Sequence, residues 1–385
     1  MTRLGSKLPS FEQAAEEVWL SQGTRVEEST LRGRTHRYGQ LAEAVERAEA
    51  ERIEREAPES EAEPEQMFVS ADGSYIHLTS GEWREVKTMV IGEFEALWQE
   101  KAGEVQVKSK NLSYFSRSYR IREFEQVALA ECHRRGVDNA RLLVTVNDGS
   151  EWIDSLADYH FPRAIRILDF RHATDYLVAA GKAAFGQDSE EFRPWLERMT
   201  HQLKHKPPQH TLADLALLAT HAQTEEQEAI IDQARRYLQK REKRIDYPYF
   251  QARGLPIGSG SVESSHKLVV HSRMKQAGMR WAQQHVDPML ALRNLVCNGR
   301  WSQGWSQIVA HYWQQRHQEF RDQARRQRPH SPPISLASLK VTPGSPSPQP
   351  PKPVNNMEEA QPYRPAPDHP WKRGIWPTKE AWRWN

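Results

Sequence analysis

Between residues 66 and 184, short apolar runs typical of strands alternate with longer segments whose apolar residues have helical spacing. The runs begin at Gln66 with QMFVSAD and include RLLVTVND and RAIRILD, each of which ends in an aspartate. One of the helical patterns stops at Gly136, and glycine commonly ends helices. This alternation predicts an α/β domain, in which the strands form a sheet that is flanked by helices.

The rest of the chain differs from this domain in composition, which divides it into regions. The first segment has helical patterns around a turn at residues 21–24, compatible with a helix-turn-helix or with any helical hairpin. A Glu- and Pro-rich stretch is typical of a linker, and a Pro-rich end predicts disorder. We predict an N-terminal helical segment (1–50), an acidic linker (51–65), the first part of the α/β core (66–184), an all-α insertion (185–250), the final helices of the core (251–325) and a disordered tail (326–385).

The distribution of apolar residues and cysteines excludes several classes of protein. No run approaches the ~18 apolar residues of a membrane span, and the first residues lack the apolar core of a signal peptide. The chain has two cysteines, which excludes a disulfide scaffold and a Cys-rich zinc finger. We therefore expect a cytoplasmic protein with no membrane partner.

The formal charge of +2 conceals a basic C-terminal half. Residues 251–300 hold seven Lys or Arg against Glu263 and Asp287. Such an excess favours a polyanionic partner, above all nucleic acid. An ordinary solvated basic face is the alternative.

Three of the predicted strands end in an aspartate, namely Asp72, Asp148 and Asp169. Functional groups in open sheets gather at the carboxyl ends of the strands. Two of the three aspartates continue as Asp-Gly, which lets the backbone turn sharply and leaves the carboxylate exposed. Asp-Gly is also a common turn dipeptide with no further role, so either interpretation is open for each one alone.

Glu263 is a sharper signal, because it stands in the glycine-rich stretch PIGSGSVESS at the start of a predicted helix. There is no Walker lysine and no GxGxxG, so a nucleotide-binding loop is a poor fit. The glutamate either favours the helix dipole or serves as a metal ligand beside a phosphate backbone. A basic and aromatic run follows it, and we predict that this run contacts DNA: Lys267, His271, Arg273, Lys275, Arg280 and Trp281.

Two aspartates and one glutamate could together bind divalent metal ions. Hard oxygen ligands suit Mg²⁺ or Mn²⁺. Two such ions about 3.5–4 Å apart activate an attacking oxygen and stabilise a leaving one. The combination favours phosphodiester hydrolysis and transesterification with two metal ions as cofactors.

Four stretches carry a resemblance to a known family: DGSYIHLTSGEWREVKTMVIGEF, NDGSEWI, RILDFRHATDYL and IGSGSVESSHKLVVHSRMKQAGMRW. Together they resemble an insertion-sequence transposase of the ISKra type, a bacterial DDE group within the Mutator-like assemblage. The resemblance covers roughly residues 66–300 and the closing run 369–372. The most specific part of the resemblance is the fourth stretch, which combines the glycines, the glutamate, RMK and GMRW.

The resemblance implies an RNase H-like fold with a mixed sheet. Its first strand carries the first catalytic Asp, its fourth strand the second, and a late helix the Glu. Matched by motif, these are Asp72, Asp148 and Glu263, which would also bind the metal. The assemblage has an Asp or Cys followed by His three positions later, which matches Asp169 and His172 and gives them a supporting role. The alternative makes Asp169 the second catalytic Asp.

The activity that the resemblance implies is cleavage of DNA at the ends of the element, followed by joining of a 3′-hydroxyl to target DNA. The partners would be double-stranded DNA and further copies of the chain assembled on it, in the bacterial cytoplasm at the nucleoid. Two alternatives remain open. One is an RNase H-fold nuclease without strand transfer, and the other is an inactive, domesticated copy that only binds DNA.

Overall fold

A computed structural model of the protein describes residues 1–100 and 104–326. The predicted disordered tail lies outside the described residues from 327 onward, as does the run 369–372. The helices are α1 (Thr2–Lys7), α2 (Phe11–Gln22), α3 (Glu28–Glu56), α4 (Ile121–Arg135), α5 (Glu151–His160), α6 (Phe170–Phe185), α7 (Phe192–His205), α8 (Pro208–Ala219), α9 (Glu225–Lys240), α10 (Tyr247–Ala252), α11 (Gly260–Ser265), α12 (Ser272–Met274), α13 (Val286–Cys297) and α14 (Trp301–Arg326).

Five strands form one mixed sheet. They are β1 (Gln66–His77), β2 (Trp83–Gln99), β3 (Glu104–Arg117), β4 (Leu142–Asn147) and β5 (Ile165–Leu168). The order across the sheet is β3-β2-β1-β4-β5. β2 runs antiparallel to both β1 and β3, whereas β4 runs parallel to both β1 and β5. The predicted α/β architecture, a mixed sheet flanked by helices, is confirmed.

The apolar residues of β1 alternate between two cores. Met67 and Val69 belong to a core completed by α4 and α5, whereas Phe68 and Ile76 belong to one completed by α6, α9 and α11. Residues two apart along a strand share a face of the sheet. Asp72 therefore lies on the face of Phe68 and Ile76, which α6, α9 and α11 cover.

Local signals predict several elements correctly. The helix that should stop at Gly136 is α4, and Gly136 has a left-handed φ of 65° that suits glycine. The turn predicted at 21–24 separates α2 from α3 at Gly23, which has φ 63°. Between 185 and 250 the chain forms α7, α8, α9 and the first part of α10. The boundaries of the predicted regions stay predictions.

The predicted acidic linker, residues 51–65, differs from the expectation. Its first six residues belong to α3, which continues to Glu56. The remainder is held against α4 and the turn after it, because Ser60 Oγ donates to His133 O at 2.8 Å and Asn139 Nδ2 donates to Ser60 O at 3.0 Å. These bonds fix the entry into β1.

The helices predicted around residues 260–300 are also interrupted. A π-helical turn (His266–His271) separates α11 from α12, and α13 begins only at Val286. The backbone at Trp281 instead pairs with the end of β1, where Trp281 N donates to His77 O at 2.9 Å. No helix in residues 1–100 and 104–326 is both long enough and apolar enough to cross a membrane.

Candidate active site

Asp72 lies within β1, just beyond the point where this strand passes the end of β4. β1 pairs in parallel with β4 up to Val69, and with β2 along its whole length, so that Asp72 is opposite Thr88. The prediction that the strand ends at Asp72-Gly73 is wrong, because β2 continues to pair with it as far as His77. The Asp72 side chain is 42% exposed.

Asp148 follows directly after β4 and stands at the level of Asp72 in the sheet. The strand ends at Asn147, as the sequence predicts. β4 lies beside β1 in a parallel register. A hydrogen bond of 2.7 Å from Ala71 N to Asn147 Oδ1 indicates that the two strands stay side by side for two more residues. The residues that come next on the two strands are Asp72 and Asp148.

The carboxyl group of Asp72 is strongly affected by its surroundings. Burial is the largest effect, and it raises the pKa of Asp72 to about 6. The charges of Asp148 and Glu85 also raise this pKa. The Gly73 N–H, which donates to Oδ1 at 2.7 Å, and the charge of His172 lower it. The effect of Asp148 means that the two carboxylates are close enough to repel each other. This edge of the sheet therefore carries negative charge that a cation would compensate.

Glu263 stands on α11 at the surface, where its side chain is 61% exposed and its Oε1 lies 3.3 Å from Lys267 Nζ. One turn later, the buried ring of His266 contacts Asp72. Its Nδ1 lies 3.6 Å from Asp72 Oδ2, and its Nε2 lies 3.3 Å from Asp72 O. Burial lowers the pKa of His266. The helix that carries Glu263 is thus attached to Asp72 through a histidine.

The described residues contain no group of three or more His, Cys, Asp or Glu side chains that could hold a metal ion. The structure brings Asp72 and Asp148 together, whereas Glu263 is paired with Lys267. The donor chemistry of the two aspartates suits Mg²⁺ or Mn²⁺, because both are hard oxygen ligands and their mutual repulsion favours a cation. Two of the three predicted carboxylates therefore fit a common metal site as they stand.

Asp169 links the end of β5 to the glycine-rich loop. It caps α6 through Oδ1, which accepts from His172 N at 2.8 Å, while Oδ2 accepts from Ser259 N at 2.6 Å. The next residue reinforces the link, since Phe170 N donates to Ile257 O at 2.9 Å. Asp169 is 7% exposed. Both of its oxygens are engaged by backbone N–H groups, which is the arrangement of a structural tether.

The loop after β4 is held by α9. Tyr237 Oη donates to Asp148 O at 2.6 Å, and Arg241 Nη2 donates to Gly149 O at 2.8 Å. The Arg241 guanidinium lies over the Tyr237 ring, 3.7 Å from its centroid. Gly149 has a φ of 76°, and a Cβ there would lie 2.7 Å from Arg241 Nε, so this position requires glycine.

A comparison with known families assigns the chain to one of them. The sequence model of the Uncharacterised protein family (UPF0236) matches residues 6–307. The chain belongs to this family. The matched range contains all five strands and every carboxylate described above. No curated protein matches the chain.

The predicted DNA-binding residues of this UPF0236 member do not form one basic face. Lys267, Lys275 and Arg280 are exposed. Arg273 and Trp281 are only 1% and 6% exposed. Arg273 and Trp281 therefore share no exposed face with these three cations, and the predicted contact of the run with DNA stays a prediction.

The π-helical turn explains part of this difference. A π-turn inserts an extra residue into the helical repeat, so side chains after it no longer follow the face set before it. His271 does not continue the face of Glu263 and Lys267; it is half-buried, and its Nε2 lies 2.7 Å from Ser74 Oγ. Two residues later, Arg273 is directed to backbone carbonyls of the N-terminal segment.

Four side chains around the UPF0236 carboxylates were missed in the sequence. They are Glu85 and His266, which act on Asp72, and Tyr237 and Arg241, which hold the loop after β4. His266 could have been found, because it lies one helical turn after Glu263. The other three carry no local signal, since they reach the site from separate elements.

Proposed function

We propose that this chain is a DDE transposase of an insertion sequence of the ISKra type, with an RNase H-like core. The observation that carries the proposal is the position of Asp72 and Asp148, at one level of two neighbouring parallel strands and close enough to repel each other. The sheet supports it further. The first strand carries Asp72, the fourth strand leads into Asp148, and a late helix carries Glu263.

In this proposal Asp72, Asp148 and Glu263 are the catalytic residues and hold Mg²⁺ or Mn²⁺. Two such ions, when bound, supply an activated attacking oxygen and a stabilised leaving oxygen. The chain's own part is to place the ligands. His266 fixes Asp72 against α11, and Tyr237 fixes the backbone of Asp148.

Asp169 and His172 have supporting roles in this proposal. The carboxylate of Asp169 already accepts two backbone N–H groups, which leaves it a poor metal ligand and a good tether for the loop before Glu263. This engagement favours Asp148 over Asp169 as the second catalytic aspartate. His172 lowers the pKa of Asp72, so its ring stands near that carboxylate.

The partners in the proposal are double-stranded DNA, at the element ends and at the target, and further copies of the chain assembled on that DNA at the bacterial nucleoid. The exposed cations Lys267, Lys275 and Arg280 follow the helix of Glu263 and are placed to contact phosphates. Arg273 has no part in this exposed contact, because it is buried.

A plasmid assay tests the proposal and separates it from its two alternatives. The substrate carries the inverted repeats that flank the coding sequence, and target plasmid and Mg²⁺ are added. Cut ends together with joined target products are expected. Cut ends without joined products identify a nuclease, and binding without cutting identifies a DNA-binding protein. Asp72→Asn should abolish both products, whereas Asp188→Asn, at an exposed aspartate, should leave them unchanged.

A further inference from the structure

A separate pocket lies between the N-terminal helices and the segment around Trp281, and the candidate catalytic carboxylates do not line it. Its volume is about 320 Å³, which lies in the range of ~300–1,000 Å³ found for small-molecule sites. Phe11 and His36 line it from α2 and α3, and Arg273, Trp281 and His285 line it from the other side. No step of the proposed reaction uses this pocket.

Four nitrogen atoms of the lining residues are buried and, within the described part of the chain, have no hydrogen-bond partner. They are His36 Nε2, Arg273 Nη2, Trp281 Nε1 and His285 Nδ1. Arginine and tryptophan nitrogens are donors only, and an imidazole can present an N–H from either nitrogen. A buried polar group without a partner costs about 1–3 kcal/mol. Their concentration at one pocket indicates a ligand that accepts hydrogen bonds.

Arg273 is the clearest of the four. Its Nε donates to Gly5 O at 3.0 Å and its Nη1 donates to Pro9 O at 3.2 Å, which leaves Nη2 free. Arg293, another buried arginine, also binds backbone carbonyls, but all three of its nitrogens have partners. A buried charge is costly unless an opposite charge or a full set of hydrogen bonds compensates it. Arg273 has neither within the described residues.

The charge around the pocket points the same way. The rings of His36 and His285 are stacked at 3.7 Å. Burial, and the neighbouring positive charges of His285, Arg273 and Arg32, lower the pKa of His36 to about 4. The carboxylate among the lining residues, Glu28, is already paired with Arg32 at 2.7 Å. The pocket is therefore suited to an anion.

We propose that this pocket binds a phosphate group, which accepts hydrogen bonds from Arg273 Nη2, Trp281 Nε1 and the His36–His285 pair. Phosphate oxygens are acceptors that carry negative charge, and they match donors that have no acceptor of their own. The group belongs either to a nucleotide of a nucleic acid or to free phosphate. The phosphate site does not depend on the carboxylates. An experiment can therefore contradict it without contradicting the proposed transposase activity.

Isothermal titration calorimetry of the full-length protein at pH 7, in a phosphate-free buffer, tests the site. The ligands are inorganic phosphate and a 5′-phosphorylated dinucleotide, with the dinucleoside methylphosphonate, which carries no charged phosphate, as control. The variants are Arg273→Lys, which loses the fork of donors, and His285→Phe, which keeps the stacked ring but loses its nitrogens. His317→Phe makes the same chemical change at an exposed histidine of α14.

We expect the wild type to bind at least one phosphorylated ligand and both pocket variants to bind it at least about tenfold more weakly, with His317→Phe unchanged. Tighter binding of the dinucleotide identifies nucleic acid as the source, whereas equal or tighter binding of inorganic phosphate identifies the free anion. His285→Phe keeps the test decisive if Arg273→Lys does not fold. The proposal is overturned if neither phosphorylated ligand binds, or if His285→Phe binds as the wild type does.

Discussion

The phenol of Tyr237 donates a hydrogen bond of 2.6 Å to the backbone carbonyl of Asp148, 89 residues earlier in the chain. This bond connects the helical segment after α6 to the loop that presents an aspartate to the candidate active site. Arg241, which directly follows α9, holds the next carbonyl, at Gly149. The two contacts together determine how the backbone turns after β4.

Replacing Tyr237 by Phe tests this contact. The variant keeps the ring that stacks on Tyr176 at 3.9 Å but removes the donor to Asp148 O. Loss of one such bond should lower the free energy of unfolding by about 1 kcal/mol. Urea denaturation measures the change, and Tyr249→Phe, at an exposed tyrosine of α10, is the matched control. Equal stability of Tyr237→Phe and the wild type would show that the bond does not hold the loop.

Replacing Asp72 by Asn should stabilise the protein at neutral pH when no metal is present. The unfolded carboxyl ionises near pH 3.8, whereas the folded one ionises near pH 6, so the folded state holds its proton more tightly. Wild-type stability from this group therefore falls as pH rises from about 4 to 6 and stays low above it. The full shift corresponds to about 3 kcal/mol, and solvent screening reduces it to about 1 kcal/mol.

Unfolding by urea at pH 4 and pH 7, in the presence of a chelator, measures this effect. The advantage of Asp72→Asn over the wild type should appear at pH 7 and largely vanish at pH 4. Asp188→Asn removes an exposed carboxylate and should behave as the wild type at both values. An advantage of the same size at both pH values would mean that ionisation of Asp72 is not its cause.

Local patterns predicted those parts of the fold whose causes are local. The apolar runs of β4 and β5 and the glycine after α4 are examples, because strand propensity and a left-handed turn act within a few residues. β1 could not be followed past Gly73, since it is its pairing with β2 that keeps it extended. The same holds for Trp281, whose backbone pairs with a strand about 200 residues away in sequence.

The sequence also predicted only part of the candidate site. Asp148 follows from the rule that functional groups gather at the carboxyl ends of strands, and the structure places it beside Asp72, although the strand of Asp72 continues to His77. The two partners of Asp169 and the burial of Arg273 could not be predicted. Their hydrogen-bond partners, such as Ser259 and Gly5, come from other elements, far from them in the sequence.

Replacing Asp169 by Asn should destabilise the protein by about 2 kcal/mol. The two carboxylate oxygens accept N–H groups from His172 and Ser259, and an amide offers one acceptor oxygen, so one of these N–H groups would face an NH₂. The matched control is Asp246→Asn, because Asp246 caps α10 with a single contact to Tyr249 N that an asparagine can keep. Equal unfolding free energies for the two variants would contradict the tether.

Replacing both Lys267 and Lys275 by Gln should weaken DNA binding equally for all sequences. Each released counterion contributes about 0.9 to the slope of log affinity against log salt, so the slope should flatten by roughly two. Binding titrations at several salt concentrations measure it. The double variant Lys182→Gln and Lys240→Gln, at exposed lysines of α6 and α9, should keep the wild-type slope. An unchanged slope in the first variant would remove both lysines from the DNA interface.

Single-turnover cleavage of DNA that carries the element ends, in Mg²⁺, tests the central claim most directly: Asp72 and Asp148 form one reaction centre and Asp169 supports it. At conditions where all variants are folded, Asp72→Asn, Asp148→Asn and Glu263→Gln should each cut at least about a thousandfold more slowly, which corresponds to about 4 kcal/mol in the barrier. All three should still bind DNA, and Asp169→Asn should lose much less activity. Cleavage near the wild-type rate by Asp72→Asn or Asp148→Asn, or a greater loss in Asp169→Asn than in Asp148→Asn, would contradict the account.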